Sequence, residues 1–353
     1  MGVKKILATI VVAATLTACS SGSSNTPPPD PTPDAREPSV ARLWNEVVLG
    51  AIRDDFARPT VHARNLFHTS AAMFDVWSVF DAVATPWLLG KTVAGFACDF
   101  DGFPQPADVH PVREEAISHA VYRLIEHRFA NSPGVGLIMD SADTLMTTLG
   151  FDRTNLSLNY AGGSAAALGN YVADCYIRFG LVDGANEVND YANQVYQPVN
   201  PPILPEEPGN PDIVDLDRWQ PIQLSLSIDQ SGNIVEDQPE FLSPEWGQVV
   251  PFGLRDTDKT TYTRDGFDYH VYFDPGEPPT YNGPLFEEYK WGFSLVSIWS
   301  AHLDPADGVM MDISPASLGN IQSYPANPGE YPQFYDLLNG GDPSTGYSQN
   351  PIT

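Results

Sequence analysis

The sequence predicts a mainly α fold: a helical N-terminal bundle, then an irregular, proline-rich region with a few short β-strands. Two observations lead there. Between residues 40 and 182, apolar side chains recur at three- and four-residue spacing in successive segments. From about residue 183 that period disappears. Prolines crowd "QPVNPPILPEEPGNPD", and short runs such as "IQLSLSI" and "DYHVYF" have the alternation of strands. The body after residue 40 is long enough to bury a sizeable core.

Five helices follow from the first pattern. Residues 40–56 carry Leu43, Val47, Val48 and Ile52 on one stripe. Pro59 restarts the chain, and Thr60 is the expected N-cap of a helix over 61–83 with Leu66, Phe67, Phe74, Trp77 and Phe80. The third, 111–130, is the most regular: Ile117, Ala120, Val121, Leu124, Ile125 and Phe129 recur in register, with Pro111 placed at the first position. A fourth begins near Ser132 and Pro133, carries Leu137, Ile138, Leu145 and Met146, and stops at Gly150. The fifth runs over 154–179 to Gly180 and contains "AGGSAAALG". Each glycine inside a helix costs about 1 kcal/mol relative to alanine, so the run implies a neighbouring helix at close range. No Gly-Lys-Ser/Thr follows it, so a phosphate-cradling loop has no support.

In the second region "SGN" reads as a turn between two strand-like runs, and the whole region is expected to wrap the helices. Residues 287–302 return to a helical pattern with Leu295, Val296, Ile298 and Trp299. The last fifty residues are loop-like.

The N-terminus sets the compartment. Lys4 and Lys5 precede an apolar stretch, 6–16, too short to span a bilayer permanently. Leu16, Thr17 and Ala18 then lead into Cys19, an arrangement that resembles a bacterial lipobox. The resemblance implies cleavage before Cys19 and a diacylglycerol on its sulfur; an ordinary secretory signal with a chance cysteine is the alternative. The expected organisation is a signal peptide at 1–18, a Ser/Pro-rich tether at 19–39, a helical region at 40–182, and an irregular α+β region of the same domain at 183–353. The expected location is the bacterial cell envelope, membrane-anchored through the lipid, on the periplasmic or extracellular face.

Two further cysteines, Cys98 and Cys175, lie in the body. An oxidising compartment permits a bridge between them, and two separate buried thiols are equally compatible. The formal charge is −27, and loss of Lys4 and Lys5 takes the mature chain to about −29. Nucleic acid is therefore excluded as a partner, because phosphate binding needs basic patches. The acidic pairs Asp99/Asp101, Asp215/Asp217 and Asp304/Asp307 match no EF-hand loop and read as solvated turn carboxylates rather than calcium ligands.

The histidines are His62, His68, His110, His119, His127, His270 and His302. They form no His-Glu-x-x-His, and neither Cys-x-x-Cys nor Gly-x-Ser-x-Gly occurs. His119 and His127 flank Arg123 and Glu126, which reads as an exposed polar face. In "RPTVHARNLFHTS", residues 58–70, Arg64 and His68 are four apart and share a helix face, whereas His62 and His68 do not. Asp75 lies two turns further on that face, where a carboxylate would orient the imidazole and accept from the guanidinium. Such a cluster is either a structural lock or a support for a catalytic group. Arg64, His68 and Asp75 are therefore supporting candidates. No residue is assigned a direct catalytic, cofactor-binding or metal-binding role.

"WNEVVLGAIRDDFARPTVHARNLFHTSAAMFDVWSVFD", "RWQPIQL", "FLSPEWGQVVPFGL" and "WSAHLDPADGVMMDISPASLGNI" together resemble blocks of bacterial proteins related to vanadium-dependent haloperoxidases, within the type 2 phosphatidic-acid phosphatase superfamily. The resemblance extends over residues 40–353. It implies an N-terminal region of such a protein. That superfamily grips its oxyanion with three motifs: Lys or Arg at a set distance before Arg-Pro, Ser-Gly-His, and Arg followed by Gly-x-His. Neither of the last two is present here. Arg53 with Arg58 and Pro59 imitates the first at too short a spacing and in the wrong part of the chain. In such relatives all three motifs come later than the point this sequence reaches. The implied reading is an exported lipoprotein lacking the catalytic C-terminal half. No cofactor is expected in this chain, and vanadate only in a full-length relative, where peroxidase (haloperoxidase) or phosphatase chemistry would occur. Its partners would be the missing half or a second copy. The rival reading is a non-enzymatic envelope binding or interaction module on the same scaffold. A self-contained hydrolase using Asp75 or Glu46 has no spacing in its favour.

Overall fold

The apolar stripe of the third predicted helix becomes the axis of the protein. The computed structural model describes residues 38–205, 212–228, 234–235, 240–287, 289–290 and 293. Among these it is mainly α, with five helices and three two-stranded antiparallel ribbons. The helices are α1 Val40–Arg53, α2 Pro59–Ser78, α3 Val109–Arg128, α4 Val135–Leu149 and α5 Ala165–Gly180. Helix α3 packs on all four others. Ala116, Ile117, Ser118, His119, Ala120, Val121 and Tyr122 are buried in unbroken succession, so this helix has no solvent face over two turns. From α1, the fully buried Trp44 donates its indole N–H to Ser118 Oγ at 2.9 Å, which satisfies the only polar atom of that side chain.

Several expectations need correction here. His119 does not lie on an exposed polar face. It is fully buried, with Nδ1 3.3 Å from Asn170 Oδ1 of α5. The reason is the small-residue run. A Cβ on Gly169 would collide with the Ala116 carbonyl and lie 2.7 Å from His119 Cβ, so α5 sits directly against α3. Helix α5 also starts later than predicted. Tyr160–Gly162 is a single 3-10 turn, Gly163 is left-handed at φ 83°, and Ser164 caps the helix by accepting from Ala167 N at 3.2 Å. Gly162 and Gly163 thus lie outside the helix and cost it nothing. Thr60 is not the cap of α2. Arg58 holds that position, Pro59 takes the first helical position, and Thr60 instead meets Ser243 Oγ at 2.5 Å. Asp108 caps α3, which places Pro111 third in the helix, still within the turn whose N–H groups have no intrahelical partner. Gly150 ends α4 in the left-handed conformation, as expected.

Between α2 and α3 the chain forms a ribbon of β1 Lys91–Val93 and β2 Phe96–Cys98. Cys98 ends it and is bridged to Cys175 of α5, with Cα atoms 5.7 Å apart; of the two readings left open by sequence, the chain adopts the disulfide. Beyond α5 lie the ribbon β3 Ser227–Ile228 with β4 Ile234–Val235 and the longer one of β5 Lys259–Arg264 with β6 Phe267–Tyr272. This irregular part wraps the bundle at one place in particular. Val250 N donates to Asp183 O at 2.8 Å, and the Phe252 ring lies 5.0 Å from that of Phe67 on α2. Among the described residues no helix is long and apolar enough to cross a membrane. The signal, Cys19, most of the tether, most of the 287–302 helix and the last fifty residues lie outside the described residues.

The bridge closes a loop with a sequence separation of 77. Replacing both Cys98 and Cys175 by alanine is expected to cost about 2–4 kcal/mol of stability, read as a fall in the urea midpoint with a steeper slope, because the unbridged unfolded chain exposes more surface. Peptide mapping without reductant should recover the two cysteines joined; finding both alkylated would refute the bridge.

Candidate functional site

Arg64 and His68 are one turn apart on α2, both buried. The carboxylates that meet them come from far along the chain. After Gly180 ends α5, residues 183–191 turn back across the helix ends and present Asp183 and Glu187. Arg64 Nε donates to Asp183 Oδ2 at 2.6 Å. Its Nη2 donates to Glu187 Oε2 at 2.7 Å and to the Gly180 carbonyl at 2.8 Å. Arg128, in the last turn of α3, also donates to Glu187 Oε2 through Nη1. Its Nη2 reaches the Tyr176 carbonyl at 3.2 Å and His68 Nδ1 at 3.1 Å. His127 Nε2 lies 2.8 Å from the other Glu187 oxygen. One carboxylate therefore bridges two buried guanidiniums. Gly180 makes this possible, because a Cβ there would strike Arg128 Nη2 and lie 2.6 Å from Arg64 Nη2.

The electrostatics follow from the contacts. Burial by itself depresses the pKa of both arginines. For Arg64, Asp183 and Glu187 together outweigh burial and raise it; for Arg128 burial and the repulsion of Arg64 prevail over Glu187 and lower it. Both remain cations, as guanidiniums do in proteins. Burial would raise the Glu187 pKa, but His127, Arg128 and Arg64 bring it down to about 2. Burial first, and then the charges of Arg64 and Arg128, hold His68 well below its ordinary value, so it is neutral. Because an arginine can only donate, His68 Nδ1 is the acceptor and its proton sits on Nε2, 3.6 Å from Asp183 Oδ2.

Asp75 does not belong to this cluster. Its Oδ1 accepts from Trp87 N at 2.6 Å. Its Oδ2 accepts from Leu88 N and Leu89 N, each at 2.9 Å, and from Tyr176 Oη at 2.9 Å. Fully buried, it pins the loop after α2 rather than orienting His68. Four donors on a dry carboxylate also remove it as a catalytic base. The link is indirect: Tyr176 gives its hydroxyl to Asp75 and its carbonyl to Arg128. Arg58 pairs with Asp190 Oδ1 at 3.0 Å, and His62 is buried with Nε2 2.7 Å from the Phe56 carbonyl. Asp215 caps its own turn through Asp217 N at 2.9 Å. No metal-competent cluster of three His, Cys, Asp or Glu is found among the described residues.

Sequence reasoning missed Arg128, Asp183 and Glu187. Arg128 carried a signal: it is four residues after Leu124 and three after Ile125, on the apolar stripe, where a cation must have a buried partner. The two acids carried none, since Arg64 is 119 and 123 residues away from them and Arg128 is 59 from Glu187.

Above Arg64 and His68 lies a cavity of about 400 Å³, walled by Phe67, Trp246, Val250, Phe252 and Tyr272. Its lining is mostly apolar, and the two polar residues on its floor are already engaged. Every nitrogen of the Arg64 guanidinium has a partner, Nη1 meeting Tyr191 Oη at 3.5 Å. Arg128 Nε is buried without a protein partner. The cluster is thus a charge-balanced lock of two guanidiniums and two carboxylates around a neutral imidazole.

No family model and no curated protein matches the chain. Solved structures similar to it include the holo form of a bacterial vanadium-dependent chloroperoxidase, at 16% identity and a TM-score of 0.37 over 62% of this chain and 41% of that one. The apo form matches at 16% identity and 0.36 over 62% and 42%. The chain spans less than half the length of these structures.

The lock makes stability depend on pH with a definite sign. Buried His68 and His119 both titrate below 6.5, their ordinary value, so the unfolded chain takes up protons that the folded chain refuses. Stability should be fully present above pH 6.5 and fall as pH drops below it. A second loss should follow below pH 4.5, the ordinary value of Glu187, and continue toward about 2. Urea midpoints measured from pH 8 to 3 check this. In His68→Gln the slope between pH 7 and 5 should shrink; an unchanged slope would remove His68 from the account.

Proposed function

We propose that the chain supplies the helical scaffold of a haloperoxidase-related envelope lipoprotein and binds neither vanadate nor phosphate by itself. One observation carries the reading: the buried cations that would attract an oxyanion, Arg64 and Arg128, are neutralised by Asp183 and Glu187 at hydrogen-bond distance. An anion entering there would have to displace a carboxylate already desolvated and paired, which loses a strong buried interaction to gain a similar one. An oxyanion site instead needs donors aimed at empty space and free of competing acids. The sequence is in accord, since neither Ser-Gly-His nor Gly-x-His occurs in the 353 residues. Vanadate and halide or phosphate-ester chemistry would then require groups from a further segment or partner. The helices would serve as the rigid wall against which those groups pack.

The purified chain, incubated with orthovanadate, bromide and peroxide, is expected to give no halogenation above the protein-free rate, and no phosphate release from an aryl phosphate. Turnover by the chain alone would overturn the proposal. Anchoring is tested separately. Cys19 is expected to take up labelled palmitate and hold the protein in the membrane fraction, and Cys19→Ser to abolish both. Absence of label from the unmodified chain would return the reading to an ordinary secretory signal.

A further inference from the structure

A second pocket lies in the irregular region, and its construction differs from that of the lock. About 490 Å³ in volume, it is walled by the rings of Tyr196, Trp219 and Phe241, with Asn193, Gln197 and Glu240 as its polar groups. That volume falls within the usual range of small-molecule sites. The three rings come from three separate loops, yet each is held at its backbone by a polar side chain. Glu245, buried, accepts from the N–H groups of Tyr196 at 2.8 Å and Val195 at 3.1 Å. Asn200, buried, donates to the Trp219 carbonyl at 3.3 Å and to that of Asp215 at 2.7 Å, and accepts from Val214 N and Asp215 N. Asn193 donates to the Phe241 carbonyl at 2.9 Å. Irregular loops fixed in this way are preorganised, and preorganised loops on a rigid body are where ligand sites are built.

The lining selects a ligand class. Among the described residues that form it there is no lysine or arginine, and the one charged group is the Glu240 carboxylate. Trp219 and Phe241 meet nearly at right angles, 4.9 Å apart at 87°, and Tyr196 lies 4.7 Å from Phe241, tilted by 37°. They form a corner rather than a flat platform. A flat sugar ring stacks on a platform, whereas a rounded cation is held by several ring faces at once together with a carboxylate. We propose that the pocket walled by Tyr196, Trp219 and Phe241 binds a small organic cation of the quaternary or methylated ammonium class. The strongly acidic chain would raise the local concentration of such a ligand.

Isothermal titration of the purified full-length chain at constant ionic strength tests this. Choline and tetramethylammonium are the cationic probes, 3,3-dimethylbutan-1-ol is the neutral counterpart of choline, and methyl glucoside is the sugar control. Choline is expected to bind at least about fivefold more tightly than its neutral counterpart. Trp219→Ala should weaken choline by a similar factor at a temperature well below its own melting midpoint, and Trp219→Phe should retain most of the affinity. Exposed Glu240→Gln, which disturbs no packing, should weaken choline about two- to threefold and leave the neutral probe unaffected. Equal binding of the neutral probe, binding of the glucoside in place of choline, or no measurable binding of either cation would overturn the proposal. So would choline affinity unchanged in both Trp219→Ala and Glu240→Gln.

Discussion

Two guanidiniums share one buried carboxylate, and much of the architecture is arranged so that this is tolerable. Arg64 on α2 and Arg128 on α3 both point at Glu187. Bringing two like charges this close inside a protein costs several kcal/mol in desolvation and repulsion unless acids match them one for one. The match comes from Asp183 and Glu187, which belong to neither helix. The return of the chain after α5 is therefore a condition for α2 and α3 to pack as they do. Gly180 gives the guanidiniums room, and its carbonyl accepts a hydrogen bond from Arg64. The loop itself is held in a demanding conformation, with Asn186, Asp190 and Tyr191 all left-handed. Such a backbone costs of order 1–3 kcal/mol at a bulky residue like tyrosine and persists only when its surroundings over-determine it. Here the ion pairs and the Asn186 contact to Ala192 O at 2.8 Å do so.

The second constraint is steric. Gly169 and the buried alanines of α5 remove the distance that side chains normally place between helices. The bridge between Cys98 and Cys175 then ties the β1–β2 ribbon to that same helix, and Asp75 gathers three successive N–H groups of the connecting loop. Tyr176 joins the two constraints through its hydroxyl and its carbonyl. A change at the disulfide and a change at the arginines are thus felt through the same turn of α5.

The helices were legible because amphipathic period is a local property. Leu124, Ile125 and Phe129 lie on one stripe whatever the rest of the chain does. Helix starts were less legible, since Ser164 and Asp108 act as caps only where the preceding backbone departs from helical geometry, which composition does not reveal. Arg64 and His68 were correctly brought together because four-residue spacing guarantees it. Asp75 was assigned to them by the same rule, and wrongly: it does lie further along α2, but the loop at 87–89 offered three donors closer than the guanidinium. His119 was read as exposed because its polar neighbours suggested a wet face, and the glycine and alanine run that buries it lies on another helix. Local rules failed wherever the deciding partner was distant in sequence.

The lock and the aromatic pocket embody opposite uses of buried polar groups. At Arg64, Arg128, Asp183 and Glu187 the polar atoms are spent on one another, so the assembly gains rigidity and leaves little for a guest. At Glu245, Asn200 and Asn193 the polar atoms are spent on the backbone of the residues that carry the rings, so they fix the rings around the concavity. Burying a carboxylate such as Glu245 merely to shape a loop is costly, and a solvated loop of the same length would fold without it. A fold that commits one buried carboxylate and two amides to the backbone around one concavity is organised for recognition there, whereas its charged centre is organised for cohesion.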